Sequence, residues 1–256
     1  MVRVAIYGAA GQMGQRLLAM VADDARWGLA AAVEQPGHDG IGSETILGVP
    51  LGDRFDGDAD VAVDFSTAEA TIALVHQCVA WGMPMVIGTT GLADEHERTI
   101  DQAATKIPIV QASNFSLVVA VLNRLAVQAA KLLGDEYDIE ILEAHHRFKV
   151  DAPSGTAITL ARTLCDALGR SFEEDVVYSR YGTEAQRRAK QITVQALRLG
   201  DHVGEHTAYF AALGERLELK HVSTSRDSYA RGALHAASWL MGKTPGRYSM
   251  ADVLGF

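Results

Sequence analysis

Residues 2–7 (VRVAIY) are a short β-branched, apolar run that passes directly into GAAGQMG, with Gly8, Gly11 and Gly14. A helical apolar pattern follows at Leu17, Leu18 and Val21. Such a run has the composition of a buried parallel strand. A glycine turn between strand and helix lets backbone N–H groups approach a pyrophosphate at the helix start. The spacing is G-x-x-G-x-x-G, with Ala10 where the commoner dinucleotide fingerprint has its second glycine. The next strand, residues 28–33, strengthens the signal because it ends in Glu34. An acid about twenty positions after the glycines can hydrogen-bond the adenosine ribose hydroxyls. It would also repel a 2′-phosphate, and Gln35 brings no compensating charge, so NADH is favoured over NADPH unless Arg16, Lys106 or another cation reaches in.

The same unit repeats along the chain. Residues 35–60 are glycine-rich and read as a long surface loop with at most short strands. A strand at 61–65 leads through Ser66 and Thr67, a capping pair, into a helix at about 69–81. A strand at 84–87 ends in Gly88-Thr89-Thr90-Gly91, and a helix at 94–106 follows. The next strand, 108–111, ends in Ala112-Ser113-Asn114-Phe115. Small and polar residues at the carboxyl ends of parallel strands are where open α/β sheets bind ligands. Either loop alone is an ordinary strand-to-helix turn; two in succession after a glycine turn favour a cofactor crevice.

From Ser116 a long apolar helix runs through Leu117, Val121, Leu125 and Leu132, and a domain boundary is placed near its start. Later strands at 192–199, 207–213 and 217–221 indicate a mixed or antiparallel sheet with one face covered, of the kind that mates with its copy in an oligomer. A hairpin-like Gly214-Glu215 joins two of them, and a helix at 229–241 returns to the first domain. The fold class is therefore α/β, a Rossmann-like parallel-sheet domain (1–115 and 227–256) plus a central α+β domain with an open mixed sheet (116–226).

The chemistry gathers in EAHHRFKVDAPSGTA, residues 143–157. Two imidazoles (His145, His146), an ammonium (Lys149) and a carboxylate (Asp151) precede a Pro153-Ser154-Gly155-Thr156 turn. Ile158, Leu160, Ala161 and Leu164 then take helical spacing. Ser154 should cap that helix, whose free N–H groups and dipole attract anions. Single polar residues in a loop are ordinarily solvated, but a core has no use for so many polar heads in so few positions. The stretch reads as a pocket for a small dianion with a proton donor beside it.

Composition narrows the partners. With 48% apolar residues, 24 glycines and a net charge of −9 without a basic run, neither nucleic acid nor an anionic membrane is expected. No apolar stretch reads as long enough to span a bilayer. Two cysteines, Cys78 and Cys165, support neither a zinc site nor a disulfide framework; both sit in apolar helical patterns and suit a reducing, cytoplasmic setting.

GAAGQMG, DFST (64–67), IGTTG (87–91), SNFS (113–116), HHRFKVDAPSGTA, GDHVGEHTAYF (200–210) and GERLEL (214–219) together resemble the 4-hydroxy-tetrahydrodipicolinate (dihydrodipicolinate) reductase family of the diaminopimelate route to lysine. The resemblance runs through essentially the whole chain in order. It implies NADH or NADPH as cofactor, no metal, a small dicarboxylate substrate and a homotetramer built on the central sheet. By matching motif, Gly8, Ala9, Ala10, Gly11, Gln12 and Met13 would line the pyrophosphate and Glu34 the ribose. Gly88, Thr89, Thr90, Ala112, Ser113, Asn114 and Phe115 would line the nicotinamide side. His145 matches the proton donor, Lys149 the second catalytic residue, and His146, Gly155 and Thr156 the positions that hold carboxylates. Gln12 stands where many members carry Arg or Lys and Gln35 where some carry an Arg that meets the 2′-phosphate, which puts a preference for NADPH in doubt.

Two other readings compete. A related NAD(P)-dependent reductase of another small dicarboxylate needs the glycine turn but not the paired histidines. A non-catalytic dinucleotide sensor on the same fold predicts a degraded proton-donor cluster. His202, His206, His221 and His235 are taken as solvated or capping.

Overall fold

The structure, a computed structural model, describes residues 1–183 and 185–256. It divides into two compact units, Met1–Leu117 with Arg226–Phe256, and Val118–Ser225.

The first unit alternates strand and helix: β1 (Val2–Tyr7), α1 (Gln12–Asp23), β2 (Trp27–Val33), β3 (Leu51–Gly52), β4 (Val61–Asp64), α2 (Ala68–Trp81), β5 (Met85–Ile87), α3 (Asp94–Ala104) and β6 (Pro108–Gln111). All pair in parallel in the order β6-β5-β4-β1-β2-β3. The order reverses between β1 and β4, and ligands bind outside the carboxyl ends of strands at such a switch point. Burial explains the strand compositions: Val4, Ala5, Ile6, Val61, Ala62, Val63, Met85, Val86 and Ile87 are all wholly buried. Thr67 starts α2 by accepting from the Ala70 N–H, and Gly82, at φ 66°, ends it. The predicted loop at 35–60 contains one short strand, β3.

In chain order the second unit holds α4 (Leu117–Leu133, begun at the boundary), β7 (Asp138–His145), α5 (Gly155–Leu168), α6 (Phe172–Asp175), β8 (Val176–Val177), β9 (Ile192–Arg198), β10 (Gly204–Ala212) and β11 (Glu215–Ser223). The chain then returns to the first unit as α7 (Asp227–Leu240), β12 (Gly246–Tyr248) and α8 (Met250–Leu254). Helix α7 packs on α1 and on β4 to β6, as its apolar pattern suggests, and β12 adds a seventh parallel strand beside β6.

The second unit's sheet has the order β11-β10-β7-β9-β8, antiparallel on the β10 side and parallel on the β9 side. The mixed sheet expected from partial alternation is thus observed. Its hairpin turns at Leu213 and Gly214, since Ala212 pairs Glu215; the sequence reading placed it one residue later. Ile139, Ile141, Val194, Ala208 and Phe210 from the strands pack with Ala126 and Ala130 of α4 and Leu160 and Leu164 of α5 in one core.

One expectation needs correction. The helix over Leu117–Glu136 is, by length and composition, apolar enough to cross a membrane, contrary to the reading that no stretch is. Asn123, Arg124, Gln128 and Lys131 interrupt its apolar residues, so no single unbroken run in the sequence reaches spanning length. Val119, Leu122, Ala126 and Ala130 are buried, whereas Val118, Val121, Leu125 and Leu132 are exposed. With Arg124 and Lys131 among them, the helix reads as a sheet-packed element with an apolar outer face.

Candidate active site

In the first unit the carboxyl ends of β1, β2 and β4 surround a cavity of about 690 Å³, lined by Gly8, Gly11, Glu34, Gln35 and Arg54 among others. Gly8 adopts φ +73°, and a Cβ there would lie 2.3 Å from the Phe65 carbonyl oxygen. A Cβ on Gly14 would lie 2.2 Å from the Gly8 carbonyl oxygen, so α1 approaches the turn only because position 14 is glycine. Gly11 precedes α1 with no side-chain cap, which leaves the N–H groups of the Gln12–Met13 turn for an external acceptor. Ala9, by contrast, is wholly buried, so it can serve only through its backbone.

Glu34 reaches back to this turn: its carboxylate accepts from the Ala10 N–H at 3.1 Å and from the Gln35 N–H at 3.1 Å. Arg54 lines the same cavity, the one Arg or Lys to do so among the described residues. Sequence reasoning named Arg16 and Lys106 instead. Arg16 is ion-paired with Asp227 in a separate groove between α1 and α7. Arg54 lies on the loop after β3, and no local pattern marks it. The cradle fits a dinucleotide, with a backbone N–H turn for the diphosphate and an acid for the ribose hydroxyls.

The neighbouring strand ends are built around a buried carboxylate. Asp64, at the end of β4, accepts from Thr71 Oγ1 (2.6 Å), Thr89 Oγ1 (2.8 Å) and the Ser66 hydroxyl. Burial pushes its pKa up, against the pull of those hydrogen bonds. The Thr89 hydroxyl is therefore engaged in holding β4 to β5, while Thr90 is exposed. A Cβ on Gly88 would lie 2.2 Å from the Phe65 ring. After β6, Asn114 accepts from the Ser116 N–H at 2.8 Å, and buried Phe115 meets Phe65 edge-on with centroids 5.8 Å apart. Ala112, Ser113 and Asn114 carry the loop past the strand end.

In the second unit the covered face of the sheet changes character along its strands. On β7, Ile139 and Ile141 lie in the core and Glu143 and His145 follow on the same face, since side chains repeat every second residue. Continuing the inward positions of β9 past Ile192 and Val194 leads to Arg198, and those of β10 past Phe210 and Ala208 to His206. Register sets His145 opposite Arg198, Glu143 opposite His206, and His206 opposite His221.

Glu143 is wholly buried. It accepts from both Nη atoms of Arg198 (2.8 Å each) and from the Ser154 N–H (2.9 Å), and its Oε2 lies 2.6 Å from His145 Nδ1. Burial works to raise its pKa, but the hydrogen bonds from His145, Arg198 and Ser154 outweigh it and hold the carboxyl at about 2. His206 and His221 are buried, which corrects the expectation that they are solvated. Burial, reinforced by His145 and His221, lowers the His206 pKa to about 3, so this ring is neutral at ordinary pH.

The turn after β7 behaves as its sequence predicts. Ser154 caps α5 by accepting from the Ala157 N–H at 3.3 Å, and its hydroxyl lies 3.2 Å from His206 Nε2. Gly155 and Thr156 form the first turn of that helix, where the dipole favours an anion. Lys149 pairs with Asp151 at 2.8 Å, and His146 Nδ1 is buried without a protein partner among the described residues. The second unit thus collects His145, His146, Lys149, Gly155 and Thr156 around one strand end and one helix start. Arg198, 55 residues beyond Glu143, was missed. The signal was present: a charged residue at an inward position of an alternating strand.

A sequence model described as dihydrodipicolinate reductase, N-terminus, matches residues 2–115, and one described as dihydrodipicolinate reductase, C-terminus, matches residues 118–254. The chain belongs to the dihydrodipicolinate reductase family. Among its relatives, the 4-hydroxy-tetrahydrodipicolinate reductase of Alkalilimnicola ehrlichii is 44% identical, over 99% of this chain and 98% of that one. The enzyme of the same name from Anaeromyxobacter sp. is 46% identical over 100% and 98%. The solved dipicolinate-bound dihydrodipicolinate reductase from Paenisporosarcina sp. TG-14 has the same fold, with a TM-score of 0.78 at 24% identity over 98% of each chain. Members of this family thus share both halves of the chain described above.

Proposed function

We propose that the chain reduces 4-hydroxy-tetrahydrodipicolinate to tetrahydrodipicolinate with loss of water, in the diaminopimelate route to lysine. His145 is the proton donor and Lys149 its electrostatic partner. The observation that carries this reading is the match of the family along the whole chain, joined to an intact cluster of His145, His146 and Lys149. The two competing readings lose ground on the same observation, because a sensor has no need of that cluster.

Gly8 to Met13 and Glu34 would hold the dinucleotide, with Gly88 to Thr90 and Ala112 to Phe115 toward the nicotinamide. When bound, the reduced nicotinamide supplies the hydride. Everything else falls to side chains and backbone. His146, Thr156 and the Gly155 N–H grip the two substrate carboxylates and orient the ring. Loss of the carbon-four hydroxyl as water leaves a conjugated imine; hydride addition at that carbon then drives electron density onto the imine nitrogen, which His145 neutralises by giving up a proton. The Lys149 ammonium steadies the negative charge as it develops.

NADH is the favoured donor on the charges of Glu34 and Gln35. Arg54, on the same cavity, is the cation through which the site gains affinity for a 2′-phosphate. Exposed Leu197 and Val222 on the second unit's sheet support assembly into a homotetramer, and buried reduced Cys78 and Cys165 support a cytoplasmic setting.

The test is steady-state oxidation of NADH and NADPH, with substrate generated in place by a synthase from pyruvate and aspartate semialdehyde. Turnover with both, faster with NADH, is expected. Absence of turnover despite NADH binding would overturn the reaction, and a strong NADPH preference would overturn the charge argument alone.

A further inference from the structure

Glu143 is a carboxylate with no exposed surface, on a strand position that continues the apolar face of β7. Packing alone does not call for it, since apolar residues can replace a buried ion pair with little or no loss of stability. Its two oxygens have distinct surroundings. Oε1 accepts from the Ser154 N–H and Arg198 Nη2, while Oε2 faces His145 Nδ1 and Arg198 Nη1. An ionised carboxylate accepts and cannot donate, so the 2.6 Å contact requires the proton to sit on His145 Nδ1. In the neutral ring this leaves Nε2 bare.

We propose that Glu143 is a positioning residue for the reaction: it locks the tautomer and plane of His145 so that the bare Nε2 takes up a proton from solvent and, as the imidazolium that the Glu143 carboxylate stabilises, gives that proton to the substrate. This rests on the reading of His145 as proton donor. Strand geometry makes the lock rigid, because Glu143 and His145 are two apart on one pleated face and Arg198 is clamped bidentately from the adjacent β9. The other groups around the ring do not compete for Nδ1. His206 from β10 meets it edge-on with centroids 5.3 Å apart, His221 of β11 stacks beyond His206, and Lys149 is paired with Asp151.

Glu143→Gln tests the lock because the fixed donors dictate how the amide must sit. The Ser154 N–H and Arg198 Nη2 both need an acceptor and keep the carbonyl oxygen at the Oε1 position, which turns the NH2 toward His145 Nδ1 and costs Arg198 Nη1, itself a donor, its contact there. The ring must then accept at Nδ1 and move its proton to Nε2. Nitrogen NMR of enzyme labelled in histidine, assigned with His145→Gln and recorded in alkaline buffer, reads both states. The expected result is a proton on Nδ1 in wild type and on Nε2 in Glu143→Gln. Turnover in the variant should fall by about 10²- to 10⁴-fold, with the substrate KM and the NADH Kd within about three-fold. A merely structural role would instead lower stability and leave the tautomer alone. A wild-type neutral ring protonated on Nε2, or a variant with unchanged turnover, would overturn the proposal. If the variant does not fold, the wild-type spectrum alone decides. A wild-type protein that binds NADH and shows the Nδ1 proton but reduces nothing would overturn the assigned reaction and leave the lock standing.

Discussion

At the scale of residues, charge is placed where burial makes it consequential. His145→Ala and Lys149→Ala should each lower turnover by about two to four decades with modest effect on NADH affinity, checked by steady-state kinetics and NADH fluorescence titration. Full turnover in both variants would remove these residues from the chemistry. Acid sensitivity follows in large part from Glu143 and His206. Glu143 holds its proton only below about 2 when folded, against 4.5 when not, so its stabilising share is complete above 4.5 and lost as pH falls toward 2. The folded His206 stays neutral down to about 3 while the unfolded chain takes up its proton below 6.5, so stability also drains as pH falls from 6.5 to 3. Thermal unfolding followed from neutral pH downward should therefore show a loss on the order of a few kcal/mol, beginning near pH 6.5. In His206→Gln the upper part of that loss should flatten. An unchanged slope would mean that this ring titrates normally.

At the scale of elements, close backbone approach and core packing set the tolerances. Gly14→Val should push α1 away from the Gly8 carbonyl and weaken NADH binding by more than about ten-fold, because the helix start then no longer faces the diphosphate. Leu164→Ala, at a fully buried site on α5, should cost about 2–5 kcal/mol in denaturant unfolding. Gln35→Arg, at the end of β2, should raise NADPH affinity relative to NADH on the order of ten-fold, the worth of one charge-assisted contact. The elements themselves were unevenly legible. Strands such as β1 and β6 and helices such as α2 and α5 announce themselves through apolar runs, glycine stops and capping residues within a few positions. The short β12 does not. Tyr248 and Gly246 become a strand only by pairing with β6, and Arg247 reaches Glu97 and, at 2.6 Å, Asp101 of α3 to hold it there.

For the whole molecule, sedimentation of the wild-type enzyme should show a particle of four chains. A monomer at micromolar concentration would leave the exposed Leu197 and Val222 unexplained. The amino-acid sequence by itself determined the alternating parallel unit, the glycine turn, Glu34 after the second strand, and the run from His145 to Thr156, because each is encoded by neighbours along the chain. It also carried the family resemblance, spread over motifs in every part of the chain. Only the tertiary structure decided what surrounds those residues. Strand register set Arg198 and His206 against Glu143 and His145, sheet closure buried His206 and His221, and the loop after β3 brought Arg54 to the dinucleotide cavity. The physical reason is separation: hydrophobic periodicity and capping act over a few residues, whereas the field around a proton donor is assembled from strands whose pairing no local pattern specifies.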